Sequence, residues 1–258
     1  MQNYDPYRSH TTFGGSQQMA ATHTDRALMT QVFAWLGGAL AITTIGVMLA
    51  STIPASDLSG LWIVGAIASL GLCFATQMQL HRGNIMAGSV LFILFALAEG
   101  FLIGPLVLAY LAVAPTEVAA ALVGTVGVFF LAAAIVWSTN FITPVWGRFL
   151  FGALLVGIVG LILSMFVSGI YVLVLGVLGV VFVGLTMFDF WRLKNMATRS
   201  GAVTASTSRG RSSFLAMNAS RLYAGSAIMI AMALYLDFIN LFLIILQLLG
   251  ASRGGMRR

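Results

Sequence analysis

Three carboxylates, Glu99, Asp189 and Asp237, stand inside or at the edge of long apolar runs, in a chain that has only seven Asp and Glu. An acid near the middle of a bilayer costs roughly 2.5–3.5 kcal/mol on insertion scales, and residues of this kind mark ion or proton pathways. Carboxylate oxygens are also the ligands that Ca²⁺ prefers. Two buried carboxylates that meet share a proton and titrate as one unit. The chemistry these residues offer is proton sensing or cation passage.

Each acid has a plainer reading beside the functional one. Asp237 lies about fourteen residues into the last apolar run, about 20 Å along a helix axis at ~1.5 Å per residue. The fourteen Leu, Ile and Phe of 224–249 contribute roughly −4 to −8 kcal/mol to insertion against about +3 kcal/mol for the aspartate, so the run still enters a membrane. Asn240 follows three residues later and shares its helix face. The plain reading of Asp237 is a neutral side chain that only hydrogen-bonds a neighbouring helix. Asp189 precedes Trp191, Arg192 and Lys194 at the end of its run, and its plain reading is an interfacial charge paired with those bases. Glu99 precedes Pro105, which frees a backbone carbonyl. It suits a polar cavity or a packing hydrogen bond.

The elements that must carry these residues are membrane helices. Of the 258 residues, 60% are hydrophobic and 8% charged, where soluble domains carry about 25% charged residues. Seven runs reach the roughly 20 residues that cross a bilayer: 27–50, 61–80, 85–111, 117–138, 149–168, 170–190 and 223–249. This predicts an all-α polytopic membrane protein. Residues 1–26 read as a polar, disordered tail, 27–250 as the membrane domain and 251–258 as a basic tail. No cleavable signal peptide is expected, because no basic start leads directly into a short apolar stretch and cleavage site. Residues 191–222 read as the longest loop. Ser168 and Gly169 alone divide the fifth run from the sixth, which requires a tight turn.

Arg8, Arg26, Arg82, Arg148, Arg192 and Lys194 fall in alternate connections, whereas the opposite ones hold Asp57 and Glu117. By the positive-inside rule the N-terminus is cytoplasmic. A crossing seventh run then puts Arg253, Arg257 and Arg258 on the far side, against that rule. The basic residues serve orientation, so the net charge of +6 does not indicate nucleic acid. Gly100 and Gly104 form a GxxxG pair, and Gly152, Gly157 and Gly160 stripe the fifth run. Such residues let helices approach closely. The single cysteine, Cys73, excludes an intrachain disulfide.

The segment LYLDFINLF at 234–242, followed by LIILQLLG, resembles the signature of the Bax inhibitor-1 (transmembrane Bax-inhibitor-motif) family. EGFLIGP at 99–105 and FDFWRLK at 188–194 support the resemblance, which spans roughly residues 25–251. The resemblance implies a bundle with the seventh helix surrounded by the other six. It implies an aspartate pair, at Asp189 and Asp237, that senses pH and gates a Ca²⁺ leak. It also implies an arginine latch on the first of these, for which Arg82 is the candidate. Where the family has a basic-acidic stretch between the fourth and fifth spans, this chain has Thr139 to Pro144 and then Arg148.

Three function classes follow. The first is a pH-sensitive cation (Ca²⁺) leak of a bacterial inner or plasma membrane. Its transported ion is Ca²⁺, with Asp189 and Asp237 its sites, and no bound cofactor is expected. The second is a membrane-embedded regulator that binds another membrane protein, such as a protease, without transport. The third, an enzyme, is disfavoured. Neither Asp189 nor Asp237 sits in a GxGD motif, no HExxH is present, and His10, His23 and His81 lie outside the spans. Lys194, the only lysine, lies at a run's end, which argues against a retinal Schiff base.

Overall fold

The structure, a computed structural model, describes the backbone of residues 13–53, 55–139, 141–167, 169–207 and 213–256. Side chains are described for 27–53, 63–139, 141–167, 169–198 and 223–252. Every described regular element is a helix: α1 (Phe13–Ala50), α2 (Ala55–His81), α3 (Ile85–Val113), α4 (Pro115–Ser138), α5 (Pro144–Ser164), α6 (Tyr171–Thr207) and α7 (Ser213–Met256). All seven contain stretches long and apolar enough to cross a membrane, the longest being the 30 residues Tyr223–Ser252.

Local sequence explains most boundaries. Pro115 and Pro144 sit in the first turns of α4 and α5, where a missing N–H costs nothing. Asn84 caps α3 by accepting a hydrogen bond from the Ala87 amide. The two sharp connections, α2–α3 and α5–α6, place Gly83 and Gly169 at φ of 77° and 94°, the left-handed region that glycine alone enters without strain. Pro105 lies inside α3 without ending it.

Three expected segments change. The segment 191–222, read as a loop, is largely helix, since α6 runs on to Thr207 and α7 begins at Ser213. Residues 208–212 lie outside the described residues. The reason is a buried stripe: Phe190, Leu193 and Ala197 are 1%, 0% and 2% exposed, at the three- and four-residue spacing of one helix face. The charged residues between them made this stretch read as an end. The polar segment 1–26 also divides. Helix α1 already starts at Phe13, while 1–12 lie outside the described residues. At the other end α7 is helical to Met256, and 257–258 lie outside them.

Helix α7 is the axis of the bundle. Of its span, 67% is buried, against 11% for α5. Among the described residues it packs on α1, α2, α3, α4 and α6, whereas α5 packs on α6 alone. The helix at the centre is therefore enclosed by five neighbours rather than six. Glycines set how closely the others approach. A methyl group on Gly100 would collide with the Thr43 carbonyl, and one on Gly46 with the Leu97 carbonyl, so α1 and α3 touch backbone to backbone. Gly157 likewise admits Leu178 of α6. In lipid, where apolar burial drives little, this close van der Waals packing holds helices together.

Candidate functional site

Asp189 and Asp237 meet in the core. They are 7% and 5% exposed, and their carboxyls are close enough to interact electrostatically. Sequence spacing put Asp189 near the end of its helix and Asp237 deep in its own. The extension of α6 removes that mismatch, because Asp189 now stands eighteen residues before the end of α6 at Thr207 and Asp237 twenty-four after the start of α7 at Ser213. The two helices run antiparallel, with Tyr171 of α6 hydrogen-bonded to Gln247 of α7 farther along the pair.

The base beside the pair is Arg192. Its Nη1 donates to Asp189 Oδ1 at 3.0 Å, across one turn of α6. Arg82, the expected latch, is exposed, and Arg192–Asp189 is the ion pair found among the described residues. The physical reason is distance along the helix: residues three apart share a face, whereas Arg82 sits in the α2–α3 turn. The spacing Asp189–Arg192 was visible in the sequence as the plain alternative for Asp189. In the structure Asp189 faces a base on one side and an acid on the other.

Asp237 has less support. Thr186, fully buried one turn before Asp189, lies beside it, but the Thr186 hydroxyl also donates to the Phe182 carbonyl at 2.8 Å. No donor reaches Asp237 Oδ2, which is buried. Buried polar atoms in folded proteins nearly always have partners, so an oxygen without one is exceptional. Asn240 does not supply one, because its Nδ2 donates to the Leu236 carbonyl of its own helix at 2.8 Å.

Aromatic rings close the site on the α4 side. Phe190 meets Phe129 and Trp137 edge-on at 5.8 and 6.0 Å, and Phe129 meets Phe238 at 5.2 Å. Phe190 and Phe238 directly follow the two aspartates, so the motifs that carry the acids also carry their water-excluding cover. Nearby, Lys194 Nζ donates to the carbonyls of Val136 and Thr139 at 2.9 and 3.2 Å, placing a cation on the C-terminal end of α4.

Glu99 belongs to a different site. Its Oε2 accepts a hydrogen bond from Ser69 of α2 at 2.6 Å. Tyr235 of α7 shares a 2.7 Å hydrogen bond with Thr43 of α1, and the Thr43 hydroxyl also lies 2.8 and 3.2 Å from the carbonyls of Ala39 and Ala96. Sequence reasoning did not find this α1–α3–α7 junction, since a lone Thr and Tyr in apolar runs give no signal.

Comparison with known proteins places this arrangement. The family described as inhibitor of apoptosis-promoting Bax1 matches residues 25–254. The chain belongs to the Bax inhibitor-1 family. Among its relatives, a protein of Deinococcus radiodurans is 30% identical over 246 residues, 92% of this chain and 97% of that one. The inner membrane protein YbhL of Escherichia coli is 28% identical over 87% of this chain and 92% of its own length. A protein of Chlamydia muridarum is 27% identical over 66% of this chain and 75% of that one. The Bax inhibitor-1 match runs from the start of the first span to beyond the last, so it takes in Glu99, Asp189 and Asp237 together.

Proposed function

We propose that this Bax inhibitor-1 family protein is a pH-sensitive cation leak, with Ca²⁺ as the cation and the Asp189–Asp237 pair as its gate. One observation carries the reading: two buried carboxyls face each other at the bundle axis with a single base, Arg192, on one of them. Two carboxylates and one guanidinium leave an excess negative charge in an apolar surround, and a proton or a cation compensates it.

The pair suits a passing ion better than a resident one. Ca²⁺ takes six to eight oxygens in a dedicated site. Among the described residues no three His, Cys, Asp or Glu side chains gather in one place. As pH falls, protonation of Asp189 removes the charge that holds Arg192, the latch weakens, and the population shifts towards the conducting state. The setting we propose is a bacterial inner membrane with the N-terminus in the cytoplasm, supported by the name of the Escherichia coli relative and the placement of the basic residues.

The test is Ca²⁺ flux into proteoliposomes across a pH series. Wild type is expected to conduct more as pH falls, and Asp237→Asn to lose the response. An unchanged pH profile in Asp237→Asn removes the pair from gating. An absence of flux at every pH, together with co-purification of a membrane-protein partner, supports a non-transporting regulator instead.

A further inference from the structure

A cavity of about 380 Å³ opens beside α7, between α1 and α3 on one wall and α4 on the other. Its volume lies within the usual ligand-pocket range of ≈300–1,000 Å³. It exists because, among the described residues, the backbones of α1 and α4 do not approach closely, so the groove between them stays open along the half of the bundle nearer the α3–α4 turn at Ala114. Its floor is Phe238, Ile239 and Phe242 of α7.

The lining decides the occupant. Only Thr43 and Thr44 among the lining residues carry polar side chains. Their hydroxyls already lie 2.8 and 3.0 Å from the carbonyls of Ala39 and Leu40 of their own helix. Water needs two to four polar partners, and apolar cavities stay dry. The rim residues Leu111 and Leu122 are both 43% exposed, and Thr44 is exposed too. All three lie within membrane-spanning stretches, so the mouth faces hydrocarbon and is continuous with the lipid-facing surface.

We propose that this cavity binds one acyl chain of a bilayer phospholipid, inserted sideways between α1 and α4. The chain packs against Phe238, the residue after Asp237, so an occupied cavity buttresses α7 beside the carboxyl pair. This proposal stands whether or not the protein conducts ions, because it rests on the lining and the lateral mouth alone.

The test uses the full-length protein in proteoliposomes doped with a phosphatidylglycerol that carries a diazirine near the end of one acyl chain. After photolysis, crosslinked residues are mapped by mass spectrometry. Crosslinks are expected at Val107, Val118 and Phe242, and also at Phe149, which is 72% exposed on α5 and reports ordinary lipid contact. Val118→Phe fills the cavity and should lower the Val107 and Phe242 crosslinks roughly tenfold, the ratio expected of a tenfold weaker site, with Phe149 unchanged. Val107→Phe, from the opposite wall, should lower the Val118 and Phe242 crosslinks in the same way if the first variant does not insert. Crosslinks confined to Phe149 in wild type, or cavity crosslinks undiminished in both filled variants, overturn the proposal. So does rapid modification of Thr44→Cys, in a Cys73→Ser background, by a charged water-soluble thiol reagent, which would show that water rather than lipid fills the cavity.

Discussion

The molecule holds two carboxyl sites within one bundle, and they differ in what surrounds them. At the axis, Asp189 and Asp237 face each other with one arginine, and Asp237 Oδ2 lacks a donor. At the edge, Glu99 accepts from the Ser69 hydroxyl, on a helix, α2, that packs mainly against α3. The first site sets two acids and a base together, with one of the acids on the most enclosed helix. The second is a hydrogen bond that ties a peripheral helix to its neighbour. An acid inside a membrane protein is therefore not a function in itself. What distinguishes the two is whether a second acid and a base stand beside the carboxyl.

Substitutions at the two sites should separate these roles. The largest effect is expected from Asp189→Asn with Asp237→Asn. This pair of changes removes the titrating unit, so the pH dependence of Ca²⁺ flux should vanish while circular dichroism stays helical. Glu99→Gln, which keeps the size and an acceptor for Ser69, should leave the pH profile in place. A profile lost in Glu99→Gln and kept in the double variant would reverse the assignment.

Ser69→Ala takes the donor from a partly buried carboxyl, which costs about 1–3 kcal/mol. The expected result is a lower unfolding midpoint in detergent and an unchanged pH response. Arg192→Gln removes the base from Asp189. The Arg192 side chain is 45% exposed, so solvent screens the pair and the stability loss should be about 1 kcal/mol or less. The reading to watch is a pH response flatter than wild type, because the latch is gone while the carboxyl pair remains. Tyr235→Phe is expected to touch stability alone. Thr43 keeps its backbone carbonyl partners, so the loss should be about 0.5–1.5 kcal/mol in thermal unfolding, with flux unaffected.

Much of the fold was legible because lipid imposes a simple rule: a spanning helix needs a long apolar run. All seven runs correspond to helices, and the turn residues Gly83, Asn84, Pro115 and Gly169 fall at or beside the breaks. The site was less legible. Asp237 and Asp189 stand out as charges in apolar surroundings, but the structure pairs Asp189 with Arg192 rather than with the expected Arg82. Arg192, three residues away, was treated as part of a helix end. The continuation of α6 through Leu193 and Ala197 rests on contacts with other helices, which no local pattern encodes strongly when Arg and Lys are interspersed.

By itself the sequence determined the class, the number of spans and which acids are costly, because these follow from the transfer free energies of single residues and runs. Only the tertiary structure decided that α7 is enclosed by five helices, that Asp189 and Asp237 share one level of the bundle and that Glu99 belongs to α2 and α3. It also decided that an apolar cavity opens between α1 and α4. These depend on helix length, tilt and the close crossings that Gly46 and Gly100 permit. Such quantities are properties of pairs of helices, and a single chain read in order does not contain them.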